Sequence, residues 1–472
     1  MPVPVISIGQ MRDWERDTWA SGQSEAEVIR RVGQVVAQHT LRLTKSGDVI
    51  LILAGKGHNG DDARCTREHL ADRRIDLLEV NSPEADFSKL EMLLSLRPAL
   101  VIDGLFGIGI KGPLNQPWIK FIQHINAARL RVLAVDVPSG LDAETGEPLG
   151  AAIEASVTLT VGAPKRGLLH QPAWPHVGRL EVATGVGLIP YLHSSELYWT
   201  LPGDFGGFPP LRLAAGHKGN YGHLAIIAGS AGYHGAAVLA ARGAQRARPG
   251  LISLFTHEPA YAPIAAQLQS VMVHSWKTDL ELPGKFSAVL IGPGLAAADL
   301  PEEMKRMVRR LWTDLRIPVV ADASALEWLP ADSKTPKSAV RVITPHPGEA
   351  ARLLKTTSTR IQANRPQALR ELSEHFCGCQ VVLKGHQSLI GCGAEPIFVN
   401  SSGNPYLAQG GAGDVLAGYL AGLLAQPVLE ADASRTIRFA VWQHGAAADL
   451  LQVSRTNWTV EDLANVLGGI ST

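Results

Sequence analysis

The chain has 472 residues, 46% hydrophobic and 19% charged, which is enough apolar material for real cores and excludes a disordered polymer. Lys and Arg total 44 and Asp and Glu total 44, so the formal charge is zero and no whole-molecule case exists for nucleic acid or an anionic membrane as partner. Four cysteines in so long a chain exclude a disulfide scaffold and fit a reducing compartment.

The N-terminus, Met1-Pro2-Val3-Pro4, soon becomes charged at Arg12, Asp13, Glu15 and Arg16 and has no apolar signal core. Val49–Ala54 (VILILA) is a continuous β-branched-rich run, the mark of a parallel strand buried on both faces. A helix is expected from about Asp62 to Leu70, then strands at Ile75–Val80, Leu100–Asp103 and Val132–Val137. Val157–Val161 and Arg179–Val182 extend the same sheet. Strand and helix in alternation predict a doubly wound α/β sheet.

From Tyr198 to Tyr221 the texture changes to dense Gly and Pro without apolar period, which suits a linker, and the domain boundary is placed near residue 205. Strands restart at Leu224–Ala228 and continue at Leu251–Phe255, Ala288–Ile291, Val319–Ala321, Val342–Thr344 and Val381–Leu383. Cys377-Gly378-Cys379 lacks a second ligand pair at zinc spacing and reads as a buried structural pair. A glycine cluster and a long helix close the pattern. The longest apolar stretch, Val415 to Leu424, holds two glycines and falls far short of a membrane helix of roughly 20 residues. A soluble, cytoplasmic protein is expected. Both halves should carry their chemistry at strand ends, where open parallel sheets bind ligands.

In the first half, strand VILILA runs into Gly55-Lys56-Gly57-His58-Asn59-Gly60, with Glu79 about twenty residues on, the form of a dinucleotide fingerprint. Asp61 and Asp62 follow in the first helical turn, where they should repel a pyrophosphate. Gly107-Ile108-Gly109-Ile110-Lys111-Gly112 repeats the form and leads into Pro113. A third strand-end loop reads Asp136-Val137-Pro138-Ser139-Gly140-Leu141-Asp142. Together with Ala163-Pro164-Lys165-Arg166-Gly167-Leu168-Leu169, these loops resemble the NAD(P)H-hydrate epimerase domain over residues 1–205, a Rossmann-like, three-layer fold. The resemblance implies a potassium ion on the oxygens of Asn59, Asp103 and Ser139. It also implies a hydrated nicotinamide dinucleotide along His58–Asp62 and Gly107–Pro113, with Asp136 catalytic beside the reacting ring. The family loop usually reads Asn-Asn-Gly-Gly-Asp-Gly; here Asp61 and Ala63 replace glycines, where close backbone approach or positive φ is a concern.

In the second half, Gly410-Gly411-Ala412-Gly413-Asp414 makes an anion-binding turn at a helix start, and Asp414 is placed to take a hydroxyl proton. Ile291-Gly292-Pro293-Gly294-Leu295, Ala321-Asp322-Ala323, Thr344-Pro345-His346-Pro347-Gly348-Glu349 and Leu383–Ser388 lie at other strand ends. With Lys218–Gly222, the loop Gly229–Ala237 and Gly403-Asn404-Pro405, the set resembles the ribokinase-like superfamily, and within it NAD(P)H-hydrate dehydratase, over residues 206–472. That resemblance implies a nucleotide cradled by Lys384, Gly385, His386, Gln387, Ser388 and Gly413. It implies a hydrated nicotinamide facing Ala236, Gly294, His346 and the catalytic Asp414. Ser324 departs from the pattern, since a second Asp is common after Asp322-Ala323, and this puts a role for Asp322 in doubt.

The expected activity is repair of hydrated NADH and NADPH. One half interconverts the two epimers, and the other dehydrates one of them using ADP with magnesium. An assembly of several copies of the chain is expected. Two alternatives stand: a small-molecule kinase, or an N-terminal half reduced to a binding scaffold because of Asp61 and Ala63.

Overall fold

The computed structural model describes every residue except Met1, Lys111, 278–283, 332–334, 337–338 and 471–472. Two compact units follow one another along the chain, Val3–Ser195 and then the residues from Glu196 onward.

In the first unit a two-residue strand β1 (Val3–Pro4) comes first. It is followed by β2 (Val49–Ala54), β3 (Arg74–Glu79), β4 (Leu100–Gly104), β5 (Val132–Val135), β6 (Val157–Val161) and β7 (Arg179–Ala183). The sheet order is β3-β2-β4-β5-β6-β7, with every neighbour parallel. Alternation inside VILILA builds both layers. Leu51 and Leu53 pack with Val101 against Leu90, Phe121, Ile122 and Ile125 of two helices on one face. Ile50 and Ile52 pack with Ile102 against Val28, Val32 and Val36 on the other. Fully burying such a side chain contributes roughly 1.5–3 kcal/mol, so a strand apolar on both faces is held only by layers on both. The chain leaves β2 outward to β3 and returns to β4 on the other side, so the loops after β2 and β4 part at a switch point. The helix expected at Asp62–Leu70 runs from His58 to Thr66, started by Gly57 in an extended conformation, with a 3₁₀ turn at Arg67–His69.

The second unit contains β8 (Leu197–Trp199), β9 (His223–Ile227), β10 (Leu251–Thr256), β11 (Met272–Ser275), β12 (Ala288–Ile291), β13 (Val319–Ala321), β14 (Arg341–Ile343), β15 (Gln380–Leu383), β16 (Leu389–Gly391) and β17 (Ile397–Val399). Their order is β11-β10-β9-β12-β13-β14-β15-β16-β17-β8. Pairing is parallel from β11 to β15 and antiparallel on both sides of β16. The glycines of the long helix Ala412–Leu424 set its depth. A Cβ on Gly418 would meet Ala240 O at 1.9 Å, and one on Gly243 would meet Val415 O at 2.2 Å, so this helix and His234–Ala247 touch backbone to backbone.

Two expectations need correction. The stretch read as a linker holds β8, which pairs with β17, and Phe205, which is fully buried 5.4 Å from Phe439 and 5.6 Å from Trp442. A buried aromatic anchors that segment to the second unit despite its Gly and Pro content. Cys377 is exposed and only Cys379 is buried, because the turn at Cys377 and Gly378 takes positive φ before β15 begins. Among the described residues no helix is long and apolar enough to cross a membrane.

Candidate active sites

At the switch point of the first unit lies a cleft of about 740 Å³. Of the residues expected there, His58, Asn59, Asp62, Gly107, Ile108, Gly109, Ile110 and Asp136 line it, joined by Arg12, Glu15 and Trp118. Gly60, Asp61, Gly112 and Pro113 are not among its lining residues, and Lys111 lies outside the described residues. The glycines do steric work: a Cβ on Gly55 would sit 2.1 Å from Leu105 O, and one on Gly60 would sit 2.1 Å from Gly55 O. Neither Asp61 nor Ala63 needs positive φ, and Ala63 is buried against Gly104, so the loop holds its shape without the two glycines.

The bare repulsion expected of Asp61 is corrected by Arg64, whose Nη1 donates to Asp61 Oδ1 at 2.7 Å. The same guanidinium donates to both oxygens of Glu79 and to Gly55 O. Glu79, at the position a fingerprint reserves for the ribose, is therefore occupied, and the match to that fingerprint is one of form.

Behind the cleft Asp103 is completely buried. Its Oδ2 accepts from Ser139 N–H at 2.8 Å, and its Oδ1 accepts from Ser139 Oγ at 2.6 Å and Leu105 N–H at 3.2 Å. Asn59 Nδ2 donates to Phe106 O at 2.9 Å, and Phe106 N–H donates to Ser139 Oγ at 2.8 Å. Burial pushes the Asp103 carboxyl up to about 6, with its hydrogen bonds opposing. This is an oxygen-rich knot with one carboxylate, and no cationic side chain among the described residues is bonded to it. Its donors fit a hard monovalent ion, and among the described residues no cluster of three or more His, Cys, Asp and Glu side chains suggests a transition metal.

Asp136 takes φ 65°, which a non-glycine residue adopts at a cost of roughly 1–2 kcal/mol. Its Oδ1 accepts from Lys165 Nζ, from Thr160 Oγ1 at 3.2 Å and from Val161 N–H at 3.0 Å. Lys165 is fully buried and also donates to Val161 O at 2.9 Å. Lys165 belonged to the recognised motif, but its partnership with Asp136 appears only in the fold.

In the second unit the ends of β13, β14 and β15 and the glycine turn converge on one lysine. Lys384 Nζ lies 2.8 Å from Asp322 Oδ1 and 4.0 Å from Glu349 Oε2. A Cβ on Gly413 would come 3.3 Å from that Nζ. Thr344 Oγ1 also donates to Asp322 Oδ1 at 2.7 Å. Asp322 is thus a member of the site despite Ser324, and Glu349 joins it. Burial works against the Lys384 charge, but Asp322, Glu349 and Asp414 outweigh it and raise its pKa. Burial first, then Asp322, pushes Asp414 up to about 7, with Lys384 opposing. Gly411 at φ 93° turns the chain into the helix that carries Asp414.

The loop Lys384–Ser388 is held by a residue the sequence did not single out. Arg365, buried, donates to the carbonyls of Leu383 at 3.1 Å, Gln387 at 3.3 Å and His386. Burial lowers its pKa to about 10. Gly294, at φ 67°, packs on Ala236: a Cβ there would meet Ala236 Cβ at 3.0 Å and Tyr233 O at 2.4 Å. Ser230 Oγ donates to Gly294 O at 2.6 Å and ties the loops after β9 and β12 together. His346 has a capping role as well: its Nδ1 accepts from Gly348 N–H at 3.0 Å and Glu349 N–H at 3.3 Å, while Nε2 of the half-exposed ring lies 3.6 Å from Glu349 Oε2.

Two doubly wound α/β units, one with a switch-point cleft and one with a glycine turn, a buried aspartate and a paired lysine, define a two-site enzyme of the nucleotide-handling α/β class. Residues 224–467 match the family model described as NAD(P)H-hydrate dehydratase, and residues 75–167 match that described as YjeF-related protein N-terminus. The bifunctional NAD(P)H-hydrate repair enzyme of Coxiella burnetii is 35% identical over 93% of this chain and 93% of its own length. That of Escherichia coli is 30% identical over 93% and 89%. The crystal structure of the ADP/ATP-dependent NAD(P)H-hydrate dehydratase of Bacillus subtilis, co-crystallised with ATP and Mg²⁺, is 30% identical with TM-score 0.51, covering 56% of this chain and 94% of that one. A ribokinase-like superfamily protein of Enterococcus faecalis, 25% identical, has TM-score 0.50 and covers 60% and 97%. The chain belongs to the family of bifunctional NAD(P)H-hydrate repair enzymes.

Proposed function

We propose that this chain restores hydrated NADH and NADPH, its first unit interconverting the two epimers and its second dehydrating one of them at the expense of ADP. The observation that carries the dehydratase reading is Asp414: a buried carboxyl near neutrality at a glycine turn, beside a lysine paired to two acids. A base with a pKa close to the working pH is suited to taking a hydroxyl proton. Hydroxide leaves the reduced ring poorly, so the hydroxyl must first become a better leaving group. Asp414 takes its proton, the oxygen attacks the terminal phosphate of ADP, and AMP departs. The ring nitrogen lone pair then expels phosphate, a proton leaves the neighbouring carbon, and the double bond returns.

Lys384, Gly385, His386, Gln387, Ser388 and Gly413 hold the nucleotide, and Ala236, Gly294 and the outer edge of His346 hold the nicotinamide. Magnesium, when bound with the nucleotide, supplies charge neutralisation on the phosphates. The ATP and Mg²⁺ in the Bacillus subtilis relative support that choice. In the first unit Asn59, Asp103 and Ser139 would hold potassium, which would supply a fixed positive charge to the site when bound. Most of catalysis here is positioning and electrostatic stabilisation. The test is to incubate the protein with hydrated NADH, ADP and magnesium and follow the return of NADH absorbance. No return overturns the reading.

A further inference from the structure

Asp62 and Asp136 line one cleft but reach it from different elements, Asp62 from the helix after β2 and Asp136 from the turn after β5. Their surroundings are opposite in kind. Asp136 is clamped by a fully buried lysine, a hydroxyl and a backbone N–H. The Asp62 carboxylate takes no hydrogen bond or ion pair from any described residue, although Asp62 is only 9% exposed. Burial, and then the neighbouring Asp136, Asp61 and Glu15, push its pKa well above the ordinary carboxyl range, with Lys165 opposing. Two carboxyl groups whose environments divide them in this way suit an acid and a base.

This inference rests on the epimerase reading and assigns its chemistry. We propose that Asp62 and Asp136 are the acid–base pair of epimerisation, Asp62 protonating the departing hydroxyl and Asp136 taking a proton from the water that replaces it on the opposite face of the ring. The hydroxyl sits on the carbon next to the ring nitrogen. Asp62 gives it a proton, the C–O bond breaks, and the nitrogen lone pair forms a C=N⁺ bond as water leaves. A second water adds to that carbon from the other side, the C=N⁺ electrons return to nitrogen, and Asp136 accepts the surplus proton. One water leaves and one enters, the configuration inverts, and no redox change occurs. In the reverse direction the two carboxyl groups exchange roles.

The full-length protein is given the epimer that the dehydratase does not use, in ¹⁸O-enriched water and without nucleotide. Inversion and mass are read together, above the rate without protein. Each inversion by the wild type is expected to place one ¹⁸O in the hydroxyl. Asp62→Asn is expected to slow inversion by roughly 10²–10⁴, with ADP-dependent dehydration of the other epimer in the second unit unaffected. Inversion near the wild-type rate in Asp62→Asn overturns the pair. So does wild-type inversion without ¹⁸O uptake, a result that depends on no variant. A wild type that inverts nothing overturns the epimerase reading instead, and the two failures are therefore distinct.

Discussion

Replacing Asp414 by Asn separates its catalytic role from its structural cost. The carboxyl is raised from 3.8 to about 7, chiefly by burial. A displacement of about three pH units corresponds to roughly 4 kcal/mol against the charged form. Because the folded value lies above the unfolded one, stability is fully present below about pH 4, falls as pH rises, and has lost this amount above about pH 7. Attraction between the carboxylate and the helix N-terminus offsets roughly 0.3–1 kcal/mol. The amide is therefore expected to stabilise the second unit by roughly 3 kcal/mol at pH 8 and by almost nothing at pH 4. Turnover should fall by roughly 10²–10⁴ with ADP still bound. In the wild type, kcat/KM should climb as pH rises through about 7 and Asp414 loses its proton. The assays are thermal unfolding at both pH values, following the transition that ADP shifts, and dehydration kinetics across pH. Full activity in Asp414→Asn would refute the base and leave a mere helix-start residue. Lost activity without the pH-dependent gain in stability would refute the account of its surroundings.

Arg365→Met removes the guanidinium that binds four carbonyls, those of Leu383, Lys384, His386 and Gln387, and hydrogen bonds to a charged group are worth about 1.5–3 kcal/mol each. ADP affinity by equilibrium titration should weaken by at least roughly tenfold, and unchanged affinity would show that the loop holds its own shape. Asp61→Gly should change stability and dinucleotide affinity little, since a partly exposed ion pair is worth about 0–1 kcal/mol and Arg64 keeps both oxygens of Glu79. A large gain in dinucleotide affinity would restore the view of Asp61 as a repelling charge. Potassium, but not choline, should raise the melting temperature of the first unit in the wild type and not in Asp103→Asn. An equal rise in both would place the ion elsewhere.

Much of the frame was legible in local pattern. Val49–Ala54, Ala288–Ile291 and Val319–Ala321 coincide with strands because a run buried on both faces is apolar at every position, and Val157–Val161 coincides with one in which Thr158 and Thr160 are buried as well. The antiparallel strands β16 and β17 and the edge strand β11 were missed. They are only three or four residues long, too short to show a period, and only their neighbours in the sheet make them strands. The strand-end motifs marked the loops that carry chemistry, since glycine leaves a trace wherever backbone must meet backbone, as at Gly55 and Gly60.

Local pattern was enough to specify two α/β units, most of their parallel strands in chain order, and a stock of loop residues bearing Asp136, Lys384 and Asp414. Which charges meet is settled by the folded arrangement alone. It joined Lys165 to Asp136, buried Asp62 without a side-chain partner among the described residues, closed Glu79 with Arg64, turned His346 into a cap, and set Asp322 and Glu349 around Lys384. The reason is physical. Periodicity reports burial one element at a time, whereas a carboxyl's ionisation depends on water removed and charges brought near by segments remote in sequence, and those distances exist only once the sheets are wound.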